Sequence, residues 1–435
     1  MDPVVFTILT VIMLLILLAL GLNIAFALLF SGILGILFYM GIDQTYSALR
    51  VWPFSYCYSY LLVVVPFFIL LGHLAFSIGI SGGLYDFAYK WVGHLPGGLA
   101  MATVVASAGF AAVTGSSAAT VATIGKIAMP EMRKYRYQNK LSTGTIASSG
   151  MLGPLIPPSV ISVVYGFVTR ESIGAMLIAG ILPGVITALL FMVSIYIRCK
   201  LNPSLCSLAS GVRWTERIAS LKGIWGMVLL FGIVIGSIYT GVATPTEAGA
   251  IGALAAFIIA IIMRRLKWGN LRPGLLEAGR VIAMVFAVVM GASVFGLFLS
   301  STGIPMHVAE WISGIQLPRI FILVIILFIY IPLGCLLEPI AMMLLTLPIL
   351  YPIVVTSLGY NGIWFGILVV KTVELGMITP PVGINVYVMA GIAPEVKMED
   401  IFQGCMWFFV TDCITISILI MYPEIVLCLP RLMSF

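Results

Sequence analysis

Long apolar runs separated by short polar segments dominate the chain. The runs fall at about 4–20, 22–40, 61–80, 141–169, 174–198, 223–241, 244–263, 279–301, 361–391 and 405–428. About 20 apolar residues in a helix cross the hydrocarbon core of a bilayer, so these ten runs predict ten spans. Two further apolar stretches are interrupted at their middles, one by Thr114-Gly115-Ser116-Ser117 and the other by the Pro332–Pro339 segment. Each predicts a re-entrant helical hairpin, over 97–133 and 318–356, with its tip inside the membrane. Non-helical backbone at that depth is tolerated only where protein buries it or it lines a cavity. Segments 44–58, 83–94 and 304–316 mix Trp and Tyr with a few charges, which predicts interfacial helices.

The polar segments orient the model. With Asp2 outside, the cytoplasmic segments are 81–96, 126–140, 198–222, 264–280 and 392–404, and they hold 17 of the 22 Lys and Arg. The opposite side holds Arg50, Arg170, Arg319 and Arg431, and Lys371 lies within a span. This bias follows the positive-inside rule and places both termini outside, facing the periplasm.

A shift of 223 residues lays the second half on the first. Gly153-Pro154-Leu155-Ile156-Pro157-Pro158 then meets Gly376-Met377-Ile378-Thr379-Pro380-Pro381, and the tip at Gly115-Ser116 meets Glu338-Pro339. Each half crosses five times and carries one hairpin, so the halves are inverted. The predicted fold class is an all-α polytopic membrane protein built of two inverted repeats, each with five spans and one hairpin, with broken helices at the midplane. Inverted repeats of this kind mark secondary transporters, whose sites lie at matching Gly/Pro breaks in the two halves.

Those breaks are Gly150–Ser159 and Gly376–Gly383. Each Pro removes an amide donor and clashes with the preceding turn, so the helices over 141–169 and 361–391 unwind there. Freed carbonyls suit a cation such as Na+, and a new helix N-terminus suits an anion. One such break also fits a kink repaired by neighbouring helices; two matched breaks, each preceded by a hairpin, favour a site. The hydroxyls of the first tip suit a hard cation, and the same small residues also suit close helix packing.

Composition changes the picture by exclusion. With 61% hydrophobic and 9% charged residues and a mean hydropathy of +1.17, the chain lacks the charge to wet a soluble protein's surface. The net charge of +6 belongs to the cytoplasmic bias and carries no nucleic-acid reading. Seven Cys and three His form no CxxC or HExxH spacing, and no phosphate loop of the GxxxxGK[ST] type occurs, so the chain has no ATPase site. The intramembrane ionisables are His73, Glu247, Glu338, Lys371, Glu374 and Asp412, and such residues are functional candidates by default. Lys371 and Glu374 lie three apart on one helix face and read as a mutually neutralising pair. Glu247, after Thr244-Pro245-Thr246, reads equally as a first-turn cap. His73 reads as a packing residue. A membrane-embedded enzyme would cluster His, Asp or Glu, and this scatter argues against one.

The segments Gly115-Ser116-Ser117-Ala118-Ala119-Thr120, Leu155-Ile156-Pro157-Pro158-Ser159, Gly241 through Ala248, and Thr379-Pro380-Pro381-Val382-Gly383-Ile384-Asn385 together resemble the large membrane subunit of TRAP (tripartite ATP-independent periplasmic) transporters. The resemblance covers essentially the whole chain. It implies no enzyme and no organic cofactor, but Na+-coupled uptake of an organic acid delivered by a soluble periplasmic binding protein, with a small membrane subunit of about four spans. It also implies an elevator division. Segments 1–60 and 223–270 form a scaffold, 97–198 and 318–428 a mobile transport domain, and 61–96 and 271–317 spans with interfacial arms. Carried over residue by residue, Ser116, Ser117, Gly150 and Gly153 frame one Na+ site. Gly334, Glu338, Gly376, Thr379 and Gly383 frame the second, where Glu338 replaces the more frequent Asp. Pro158, Ser159, Pro381 and Asn385 lie beside the substrate. The rival reading is a stand-alone ion-coupled carboxylate or anion permease of the same superfamily.

Overall fold

A computed structural model describes residues 3–77, 79, 82–207, 212–265, 268–313 and 317–433. Asp2, and parts of segments 81–96, 198–222, 264–280 and 304–316, lie outside the described residues. The described residues form helices joined by short turns. The first half runs α1 (Pro3–Ala19), α2 (Ile24–Met40), α3 (Ile42–Cys57), α4 (Val64–Ser77), α5 (Gly82–Val92), α6 (Gly98–Thr114), α7 (Ser117–Lys134), α8 (Asn139–Ser149), α9 (Val160–Thr169), α10 (Ile173–Ala179) and α11 (Ile181–Leu201). The short α12 (Trp214–Ser220) connects the halves. The second half runs α13 (Trp225–Tyr239), α14 (Pro245–Ile262), α15 (Trp268–Ser301), α16 (Ile304–Ser313), α17 (Arg319–Leu336), α18 (Pro339–Tyr351), α19 (Gly362–Gly376), α20 (Ile384–Ile392), α21 (Met398–Met421) and α22 (Glu424–Arg431).

Among the described residues, six continuous helices are long and apolar enough to cross a bilayer alone, and the bent α12–α13 pair adds a seventh candidate. The remaining predicted spans are shorter helices or two-part ones. One of the six, Pro339–Ser357, falls in the stretch expected to form the second hairpin, and length and composition alone do not separate a hairpin arm from a span. The last span is displaced: the apolar run 405–428 contains the end of α21, a break at Tyr422-Pro423, and the separate α22. Pro423 cannot continue the helix, while Glu399 and Asp400 form the first turn of α21, where acids complement the helix dipole.

Two apolar cores build the molecule. One gathers side chains from α1–α4, α9, α10, α13–α15 and α17–α19. The other gathers α5–α8, α11, α20 and α21. Each broken helix leaves one core and enters the other: α8 lies in the second and α9 in the first, and α19 in the first and α20 in the second. Both breaks therefore fall at the boundary of the two cores. Many outward faces are apolar, as with Ile8, Ile12 and Leu15 on α1 and Val324, Ile325 and Phe328 on α17. Such faces are at home against lipid.

Little hydrophobic force drives helices together in lipid, so close backbone approach does much of the packing. Glycines provide it. A Cβ on Gly144 of α8 would stand 2.3 Å from the Gly404 carbonyl carbon of α21, and one on Gly291 of α15 would stand 2.3 Å from the Ala25 oxygen of α2. The pairings also have a pattern. Exchange α1 with α13, α2 with α14, α4 with α15, α6 with α17, α7 with α18, α8 with α19 and α9 with α20. The pairings α1–α2, α2–α15, α6–α8 and α7–α20 then become α13–α14, α14–α4, α17–α19 and α18–α9, all of which occur.

Candidate functional site at two helix breaks

The sequence terminates helices at both tips and both breaks, and local caps make the terminations definite. Gly115, with φ of +61°, ends α6, and the Ser116 hydroxyl accepts from the Ala119 amide to start α7. Ser159 starts α9 by accepting from the Ser162 amide at 3.1 Å. In the second half, Glu338 caps α18 by accepting from the Ala341 amide at 3.2 Å, with Pro339 behind it in the first turn. Gly383, with φ of +62°, starts α20. The N-termini of α7, α9, α18 and α20 and the C-termini of α6, α8, α17 and α19 thus belong to this region. Partial positive and partial negative charge are supplied by backbone alone. The peptide bonds Pro157–Pro158 and Pro380–Pro381 are both cis.

Hairpin 1 (α6 and α7) seats its tip on the first break. A Cβ on Gly153 would lie 2.7 Å from the Ser116 carbonyl oxygen and 3.0 Å from the Ser117 nitrogen. One on Gly150 would lie 2.9 Å from the Ser117 oxygen, and one on Gly115 only 2.2 Å from the Pro158 oxygen. Ser116, Ser117, Gly150 and Gly153 are therefore together, with Pro158 beneath the same tip. Residues 150–160 are all buried. Hairpin 2 (α17 and α18) meets the second break through Gly334, whose backbone lies 2.7 Å from a Cβ built on Gly376. The Thr379 hydroxyl donates to the Leu375 oxygen at 2.7 Å, and a Cβ on Gly383 would lie 3.2 Å from the Thr379 oxygen. Pro380 and Pro381 are exposed. Asn385 links the breaks: its Nδ2 donates to the Ala147 oxygen at 3.3 Å, and its Oδ1 is buried with no partner.

The charged side chains sort differently from the sequence expectation. Lys371 pairs with Asp412 of α21, both side chains fully buried, and lies 5.8 Å from the centre of the Phe191 ring. The reading of Lys371 with Glu374 as a pair is corrected accordingly: a tertiary contact from α21 takes the ammonium. Glu374 is fully buried, and neither of its carboxylate oxygens has a hydrogen-bond partner. Its electrostatic neighbours are the Ser117 hydroxyl, Lys371, Glu338 and Asp412. Sequence reasoning left Glu374 out of both sites, and only the competing partner Asp412 reveals it as unpaired. Glu247 resolves as a cap, in a reciprocal capping box with Thr244, its Oε2 accepting from the Thr244 amide at 2.8 Å. His73 is half-buried in α4, where its backbone oxygen lies 3.4 Å from a Cβ built on Gly274 of α15.

The arrangement belongs to a class of helical membrane transporters. The fold is similar to the crystal structure of the YdaH transporter of Alcanivorax borkumensis, with a TM-score of 0.66 over 89% of this chain and 90% of that one at 12% identity. The family described as "Tripartite ATP-independent periplasmic transporter, DctM component" matches residues 11–425, and the chain belongs to it. The chain is 37% identical over 407 residues to the C4-dicarboxylate TRAP transporter large permease protein DctM of Pseudomonas aeruginosa, covering 92% of this chain and 93% of that protein. It is 32% identical to the sialic acid TRAP transporter large permease protein SiaM of Vibrio cholerae, over 86% of this chain and 87% of that one. The relatives are transporter permeases, and the chain is a multi-pass membrane transporter subunit.

Proposed function

We propose that this chain is the ion-coupled permease of a bacterial inner-membrane importer, using a Na+ gradient to take up an organic acid that a soluble periplasmic protein delivers. The observation that carries this reading is the seating of each hairpin on a helix break, hairpin 1 at Ser116–Gly153 and hairpin 2 at Gly334–Gly376. Carbonyls freed by the breaks, with the Ser117 and Thr379 hydroxyls, offer the hard oxygen ligands that Na+ prefers. Four helix N-termini face the other way chemically, toward a carboxylate. Both Lys of the broken helices are already paired, Lys140 with Asp400 at the start of α8 and Lys371 with Asp412, so a carboxylate depends on those helix ends and on co-bound Na+. The relatives' substrates, a C4-dicarboxylate and sialic acid, support an organic acid as cargo, with a sugar acid in the same class.

The reading includes an elevator motion. Segments 97–198 and 318–428 move as one body against 1–60 and 223–270, with a small four-span subunit and lipid beside the fixed part and both termini periplasmic. Cross-links within the moving part support it: Tyr351 donates to Glu171 at 2.6 Å, Tyr165 to the Gly362 oxygen at 2.6 Å, Trp364 to the Leu419 oxygen at 2.8 Å, and Lys140 pairs with Asp400 at 3.1 Å. The exchange pattern of helix pairings supports an inverted repeat, since it holds inside each group. It weakens between them: the counterparts of α4–α6 and α15–α18 are not among the more extensive pairings of the described residues. Uptake by the complex reconstituted with its binding protein tests the reading. Replacing external Na+ by K+ at matched membrane potential abolishes uptake if the reading holds; unchanged uptake overturns it.

A further inference from the structure

Five of the six ionisable side chains within the membrane have a local role. Lys371 and Asp412 neutralise each other, Glu338 caps α18, Glu247 caps α14, and His73 is a half-buried packing residue. Glu374 has none. It lies in α19, two residues before the Gly376 break, fully buried, with both oxygens unbonded. Its neighbours leave it uncompensated: the Lys371 charge is taken by Asp412, Glu338 is of like sign, and Ser117 is neutral. A lone carboxylate in a low dielectric costs far more than any single contact returns, so a buried one is neutralised by a cation or a proton.

Its position says which. Ser117 opens α7 at the tip of hairpin 1, and its carbonyl oxygen lies 2.9 Å from a Cβ on Gly150 in the first break. The helix that carries Glu374, α19, packs against the Gly150–Leu152 turn of that break, which leaves Ser117 among the carboxylate's electrostatic neighbours. The backbone-and-hydroxyl pocket at the first break, which contains no charge of its own, therefore adjoins an unpaired buried negative charge contributed by the other half of the chain. We propose that Glu374 is the fixed negative charge of the cation site at the tip of hairpin 1. This rests on the Na+ reading above and adds to it. The first ion is held jointly by Ser117 from hairpin 1 and Glu374 from α19, so its binding draws hairpin 1 and the second broken helix together. The occupant is a monovalent alkali cation, with a proton as the competing neutraliser that the test separates.

The test uses the purified full-length chain with its membrane partner and Na+ as the probe. The Na+ concentration that half-maximally raises the unfolding temperature is measured against K+ at equal ionic strength. Ligand that binds only the folded state raises its stability. Wild type responds to Na+ and not to K+. Glu374→Gln requires at least roughly tenfold more Na+, each tenfold being about 1.4 kcal/mol, while Glu374→Asp, which keeps the charge, stays Na+-selective. Glu374→Gln with the wild-type half-point overturns the proposal and leaves the Na+ reading standing. A wild type indifferent to Na+ removes both. A second measurement needs no variant: wild type is treated with a hydrophobic carbodiimide in Na+ or K+, and the adduct at Glu374 is followed by peptide mass spectrometry. Na+ slows labelling at Glu374 and K+ does not if the proposal holds. Equal labelling in the two salts overturns it and places a proton on Glu374; no labelling in K+ also overturns it, since a site empty of Na+ leaves that carboxyl open to the reagent.

Discussion

The two breaks share one sequence grammar and differ in what covers them. Residues 150–160 of the first are all buried, whereas Pro380 and Pro381 of the second are exposed and Thr379 and Val382 half-buried. The prolines are common to both, so they open the helices but do not decide access. Neighbouring glycines do. Gly115 lays hairpin 1 on Pro158, and Gly180 and Gly184 bring α10 and α11 onto Leu155 and Ile156, with Cβ positions at 2.1 and 2.5 Å from the Leu155 oxygen and the Ile156 side chain. The corresponding positions 223 residues later are Gln403 and Trp407, both exposed. The second half has no glycines there to close over its break, and it stays accessible in the conformation seen.

Substitutions at the covers have the largest expected effect. Gly115→Ala puts a Cβ 2.2 Å from the Pro158 oxygen at a φ of +61°. It is expected to destabilise by roughly 2–5 kcal/mol through overpacking and left-handed strain, whereas exposed Pro380→Ala stays within about 1 kcal/mol. Thermal unfolding of the two variants reads the difference, and equal losses would show that both breaks are equally packed. The two breaks also differ in accessibility. In a background with the seven native cysteines replaced, Pro380→Cys reacts with an aqueous thiol reagent at least roughly tenfold faster than Ser159→Cys, a difference of about 1.4 kcal/mol or more in exposure.

Smaller effects follow at the link between the breaks and outside both. Asn385→Ala removes the 3.3 Å bond to the Ala147 oxygen. It is expected to cost about 1 kcal/mol of stability and to reduce uptake more than that cost alone explains; wild-type uptake in a folded variant would separate Asn385 from the site. Glu247→Gln loosens a cap and nothing at the breaks, so uptake keeps its full Na+ dependence, measured as the ratio of rates in Na+ and K+.

Much of this was legible in the sequence because interruptions of apolar runs are local signals. The hairpin over 97–133 emerges as α6 and α7, with its tip at Gly115-Ser116, and the breaks fall where prolines crowd. What hydropathy misplaced was α21, since the run 405–428 continues through Pro423 into the separate helix α22. What it could not reach was tertiary choice. Lys371 and Glu374 satisfy the spacing of a helix-face pair, yet Asp412, 41 positions from Lys371 in the chain, takes the ammonium. Burial of a break is equally non-local, set by glycines on other helices.

In the proposed function, cations bind where the hairpin tips meet the breaks. Equilibrium binding of radioactive Na+ to the purified chain, alone and with the small membrane subunit proposed above, tests this most directly, for wild type, Ser117→Ala and Thr379→Ala. The predicted result is binding displaced by unlabelled Na+ but not by K+, and weakened by each substitution separately. Binding absent from wild type, or untouched by both substitutions, contradicts the claim.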